Sequence, residues 1–128
     1  MQPNRFALII AALASFATPQ LVSAHAKLVA STPAANATVA RPTKIDLRFS
    51  EAVIASTVSV QLAMTGMPGM VNHAPMPMKG FTAKIGKDRK SMTLMLRRPL
   101  AAGTYRVSWA AAGADTHRLT GTFNFTVR

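Results

Sequence analysis

Apolar residues recur at every second position through five stretches of the chain. Ile45, Leu47 and Phe49 alternate with Asp46 and Arg48. Val58, Val60, Leu62 and Met64 alternate with Ser59, Gln61 and Ala63. Met92, Leu94 and Leu96 alternate with Thr93 and Met95. Tyr105, Val107 and Trp109 alternate with Arg106 and Ser108, and Phe123, Phe125 and Val127 with Asn124 and Thr126. A period of two is the signature of strands with one buried face. Residues 27–31 and 80–85 carry weaker versions of the pattern. Pro33, Pro42, Pro68-Gly69, Gly86, Pro99, Gly103 and Gly113 fall between the runs and punctuate them. No long stretch has helical periodicity. About seven short strands predict an all-β fold, a small antiparallel Greek-key barrel or sandwich.

The first 24 residues have a different pattern. Arg5 precedes an apolar run over residues 6–17, Thr18-Pro19-Gln20 breaks it, and Val22-Ser23-Ala24 supplies small residues. This is the layout of a cleaved secretory signal, and the run is too short for a membrane span of roughly 20 residues. The expected organisation is a signal peptide at 1–24 and a single domain at 25–128. Cleavage after Ala24 makes His25 the first residue. The chain has no cysteine, so no disulfide holds the domain; with the signal, this points to a bacterial periplasm.

The formal charge of +11 raises nucleic-acid or membrane binding. The basic residues are dispersed, however, and one Trp and one Tyr make no base-stacking platform. Nucleic acid is therefore not an expected partner, and membrane contact is expected only through a partner protein.

Residues 64–78 interrupt the strand pattern. Five methionines and His73 lie among prolines and glycines, and residues 65–80 are read as a loop displaying thioethers. Thioether sulfur is soft and polarizable, and soft donors select Cu(I). Met64 is in phase with Val58, Val60 and Leu62, which equally suits a core residue at a strand end. Met92 reads as core.

A second constellation is Asp115-Thr116-His117. If the segment is extended, Asp115 and His117 point to one side. A free N-terminal His25 would add an α-amine and Nδ1 to the same ion. An amine, two imidazoles and a carboxylate suit tetragonal Cu(II).

The start His25-Ala-Lys-Leu-Val-Ala-Ser-Thr-Pro-Ala, the run Ile45-Asp-Leu-Arg-Phe-Ser-Glu51, Met64-Thr-Gly-Met-Pro-Gly-Met70, Leu100-Ala-Ala-Gly-Thr-Tyr105-Arg-Val-Ser-Trp109 and Asp115-Thr-His117 together resemble the periplasmic copper resistance protein CopC family, over nearly all of residues 25–128. The resemblance implies a cupredoxin- or immunoglobulin-like β fold. It implies a Cu(II) site at His25, Asp115 and His117, with Glu51 a weaker neighbour, and a Cu(I) site at Met64, Met67, Met70, His73 and Met76. Val71-Asn72 puts two residues before His73 where the family pattern has one, and Met78 is additional.

The function expected is a non-enzymatic periplasmic copper carrier in resistance or homeostasis. Its partners would be copper and a copper transporter or another periplasmic copper protein, and its state a monomer or a weak metal-linked dimer. Two alternatives remain. A metal-free secreted interaction domain would use the methionines as adaptable contact surface. A histidine-brace copper oxidoreductase would use His25 and His117, but only Trp109 and Tyr105 are available to form a broad aromatic substrate surface, and both fall on a buried face.

Overall fold

The structure is a computed structural model that describes residues 25–128; residues 1–24, where the signal is expected, lie outside the described residues. Nine strands form two sheets: β1 (Leu28–Thr32), β2 (Thr38–Val39), β3 (Lys44–Phe49), β4 (Ser59–Gly66), β5 (Met76–Met78), β6 (Phe81–Ile85), β7 (Ser91–Leu96), β8 (Gly103–Ala112) and β9 (Arg118–Val127). One sheet has the order β1-β3-β7-β6 and the other β2-β9-β8-β4-β5. The architecture is the sandwich form of the expected all-β fold. Among the described residues the only helical element is a 3₁₀ turn at Ala55–Thr57.

The alternation expected from sequence is the alternation of burial. Ile45, Leu47, Phe49, Leu62, Leu94, Tyr105, Val107, Phe125 and Val127 are almost wholly buried. Each such side chain contributes about 1.5–3 kcal/mol through removal from water. Phe49 meets Trp109 edge-on at 5.5 Å and so joins the inner faces of the two sheets, while Tyr105 stacks at 5.5 Å on Phe125, its cross-strand partner in the same sheet. The Tyr105 hydroxyl donates to the Ala101 carbonyl at 2.7 Å, so the one polar atom on this ring is satisfied inside the core. Burial pushes the Tyr105 pKa above its ordinary value.

Three expectations need correction. Residues 65–80 are not all loop: β4 runs on to Gly66, and Met76–Met78 forms β5, pairing Met64 with Met76 and Leu62 with Met78. Period-two analysis misses β5 because three residues, one of them proline, are too few to show a period. Strand β2, two residues paired in parallel with β9, is missed for the same reason. The segment 113–117 is a turn and not extended.

Strand β8 is the axis on which the rest is placed. It pairs with β9 and β4 on either side. Its ten residues extend about 30 Å at the usual strand rise. Gly103 marks one end and Ala112 the other.

Candidate metal centre

The Ala112 end of β8 gathers three donors from distant parts of the chain. His25 precedes β1. The next residue, Ala26, is fully buried and plugs the segment into the core. Ser50 then holds it from the side. Its backbone N–H donates to the Lys27 carbonyl at 2.8 Å. Its hydroxyl donates to the His25 carbonyl at 3.2 Å and accepts from the Lys27 N–H at 3.1 Å.

Asp115 and His117 occupy the β8–β9 turn. Thr116 N–H donates to the Gly113 carbonyl at 3.0 Å, and His117 N–H donates to Asp115 Oδ1 at 3.2 Å. Closing that turn puts Thr116 at φ 64, a left-handed conformation that a β-branched residue adopts only against strain. The two side chains are thus brought to one side by a kink at Thr116, not by the extended geometry expected. The root of the turn is braced, since Ile54 N–H donates to the Ala112 carbonyl at 2.8 Å and Ala112 N–H to the Thr57 hydroxyl at 2.9 Å.

With Oδ1 engaged by the backbone, Asp115 Oδ2 faces both imidazoles. It lies 2.6 Å from His25 Nδ1 and 3.5 Å from His117 Nδ1. The rings are 5.4 Å apart, tilted by 41°. One donor atom from each of the three residues falls within 4.8 Å of the others. His25 Nδ1 is buried yet has no aligned hydrogen-bond partner despite its short approach to the carboxylate. The contact is close without meeting hydrogen-bond geometry. Donors about 2 Å from a common ion sit about 2.8 Å apart when adjacent in a square and about 4 Å when opposite. The two carboxylate–imidazole distances, 2.6 and 3.5 Å, lie close to the adjacent spacing. Glu51 is not among the converging donors.

The Gly103 end of β8 carries the methionines. Met67-Pro68-Gly69-Met70 closes a tight turn: Met67 N–H donates to the Met70 carbonyl at 3.0 Å and Met70 N–H to the Met67 carbonyl at 2.9 Å. Proline at the second position fixes its own φ, and Gly69 at the third has φ 82, the conformation a type II turn requires. Reciprocal pairing puts Met67 and Met70 directly opposite each other with their side chains on one face. They are exposed, Met67 by 37% and Met70 by 56%. Beneath the turn, a Cβ on Gly103 would come within 2.5 Å of the Gly66 carbonyl oxygen, so β8 and the hairpin approach as closely as they do only because Gly103 has no side chain.

The His73 ring is held from one side. Its Nδ1 lies 2.7 Å from the Ala74 carbonyl. A carbonyl only accepts, so Nδ1 carries the proton and Nε2 the lone pair. Nε2 is buried without a partner.

The structure brings His25, Asp115 and His117 together. It divides the remaining candidates. Met64 and Met76 line one cleft, together with Met78, the methionine additional to the family pattern. Met67 lines a different cleft with Pro68 and Val71, and Met70 stands opposite Met67 on the turn. Met92 is core, as expected, and Met95 is exposed. Ser50, Thr116 and Gly103 shape the sites and were not singled out from sequence; only the short Met-x-Met spacing at 76–78 could have placed Met78 with Met76.

The sequence model of the CopC domain matches residues 28–128. Copper resistance protein C of Escherichia coli is 49% identical over 105 residues, 82% of either chain. Copper resistance protein C of Pseudomonas syringae pv. tomato is 42% identical over 125 residues, 98% of either chain. The crystal structure of PcoC, a methionine rich copper resistance protein from Escherichia coli, is similar with a TM-score of 0.74 at 46% identity, over 82% of this chain and 100% of that one. CopC from Methylosinus trichosporium OB3b is similar with a TM-score of 0.62 at 27% identity, over 80% of this chain and 93% of that one.

Proposed function

The chain belongs to the CopC family, and from that premise we propose that it is a periplasmic copper carrier with one site for each oxidation state of the metal. The observation that carries the reading is the meeting of His25 Nδ1, Asp115 Oδ2 and His117 Nδ1. These are nitrogen and oxygen donors of the kind Cu(II) prefers. Export with cleavage after Ala24 would convert the His25 amide to an amine and add a fourth donor. Asp115 then fills coordination space that a histidine-brace oxidase keeps open for oxygen, which favours carriage over catalysis.

Cu(I) is assigned to the methionine hairpin. Met64, Met67, Met70 and Met76 offer thioethers, and the unpartnered Nε2 of His73 offers an imidazole lone pair. Neutral sulfur donors bind a soft monovalent ion without having to overcome the protein's positive charge by opposite charge. The two regions lie at opposite ends of β8, about 30 Å apart. Copper therefore changes site by passing between molecules, such as a copper transporter or another periplasmic copper protein, and not by a step within one chain. Among the described residues no helix is long and apolar enough to cross a membrane.

The test is titration of the chain beginning at His25 with Cu(II), and separately with Cu(I) under anaerobic reductant, each against a competing chelator. Binding of both ions without mutual competition is expected. Failure of Cu(II) to bind more tightly than to free histidine would remove the reading.

A further inference from the structure

Strands β5 and β6 each form one edge of their sheets, and both contribute to a cleft of about 550 Å³. Met64, Met76 and Met78 contribute to its walls, with Phe81, Leu96 and Leu100 from other elements. The strand register explains why three thioethers share it. Met64 pairs with Met76 and Leu62 with Met78. Leu62 is buried, and residues two apart or directly paired face the same way, so all three methionines leave the inner face of the sheet. Paired Cβ atoms are about 4.5–5.5 Å apart, a span that the three side-chain torsions of methionine bridge readily. The exposed turn of Met67 and Met70 takes no part, since Met67 lines a separate cleft of about 210 Å³ and Met70 lines neither.

Five thioethers and one imidazole are more soft donors than a single ion uses. We propose that the cleft is a second soft-metal site, in which Met64, Met76 and Met78 hold Cu(I), or Ag(I) in its place, separately from an ion at Met67, Met70 and His73. This rests on the reading of the hairpin as a Cu(I) binder and goes beyond it by dividing the donors between two ions. The chemistry of the walls restricts the occupant. The donors are neutral, the walls are largely apolar, and no carboxylate lines the cleft, so a hard divalent ion finds none of its preferred ligands. Arg97 and Arg98 line the cleft and are solvent-exposed. Their charges oppose a cation, though water screens them. The cleft is therefore the weaker site: the turn fills first and the cleft second.

The test uses the chain beginning at His25 with its methionine methyl groups labelled with ¹³C, titrated with Ag(I) and followed by NMR. In the unaltered chain, the first equivalent is expected to move the Met67 and Met70 methyls and the second those of Met64, Met76 and Met78. In a Met67→Leu, Met70→Leu variant the cleft methyls still move. Adding Met78→Leu, which preserves apolar volume, abolishes that response. Arg98→Gln tightens the second equivalent about twofold to fivefold, the scale of one screened surface charge. Movement of all five methyls in a single one-equivalent step, or loss of all Ag(I) binding in the Met67→Leu, Met70→Leu variant, overturns the second site and leaves the Cu(I) hairpin standing. No Ag(I) binding to the unaltered chain overturns both.

Discussion

At one end of β8, three donors come from the start of the described chain and from a turn near its finish, and the fold has to be complete before they meet. At the other end, the donors lie within residues 64–78 and a two-residue turn is enough to pair Met67 with Met70. The first region is built for geometry. Ser50 fixes the backbone of His25, the kink at Thr116 aims Asp115 and His117, and the carboxylate reaches both rings. The second is built for softness, with long flexible thioethers on an exposed edge and only His73 locked by a hydrogen bond. A metal that prefers a fixed planar array is served by the former and one that prefers polarizable sulfur by the latter. If each end holds one oxidation state, as proposed, selectivity needs no moving part: two separated donor sets are sufficient, provided the metal is handed over between molecules.

The comparison breaks most directly at His117. His117→Ala removes one of three converging donors, so Cu(II) affinity should fall by more than the roughly 10- to 100-fold that losing an outer partner costs. Cu(I) affinity should be unchanged by chelator competition. An equal loss of both would mean that the two ends are one site.

Gly103→Ala probes the opposite end. The new Cβ meets the Gly66 carbonyl at 2.5 Å, and the backbone there has φ 155, so a loss of about 1–3 kcal/mol is expected. Urea unfolding measures it. Cu(I) binding should weaken with the displaced hairpin while Cu(II) binding is retained.

Tyr105→Phe removes the hydrogen bond to Ala101 from the floor of the sandwich and should cost about 1 kcal/mol at neutral pH. Burial raises the Tyr105 pKa above the usual value of 10.0, so the folded state favours the neutral phenol. The associated stability is complete below pH 10 and is lost as pH rises through the folded-state value. Urea midpoints at pH 8 and above pH 10 should therefore show a smaller alkaline loss in the Phe variant than in the parent.

The smallest effect is expected at Thr116→Gly. Glycine accepts φ 64 without strain, so the domain should gain about 0.5–1 kcal/mol. The turn becomes looser, and Cu(II) affinity should fall slightly. Greater stability together with tighter Cu(II) binding would contradict the view that the kink serves to aim the donors.

Much of this was legible in the sequence because burial follows a period of two. Phe49, Leu62, Tyr105 and Phe125 were placed on inner faces by alternation alone, and all are buried. His25, Asp115 and His117 were grouped by donor chemistry and by family resemblance, and the fold brings them together. What could not be read is what depends on a tertiary partner. Strand β5 exists because β4 supplies its pairing, not because Met-Pro-Met has strand character. The strain at Thr116 is imposed by the β8–β9 turn, while the residue type alone argues for an ordinary conformation. Met78 is local to Met76 in the chain, but both join Met64 only through a cross-strand register that no local pattern encodes.

The most direct test of the two-region account is X-ray absorption on the chain beginning at His25, loaded with one equivalent of copper and measured first as Cu(II) and then after anaerobic reduction. Nitrogen and oxygen neighbours in the oxidised sample, replaced by sulfur neighbours in the reduced one, are predicted. An unchanged nitrogen and oxygen shell after reduction would contradict it, because copper would then be staying at His25, Asp115 and His117 in both oxidation states.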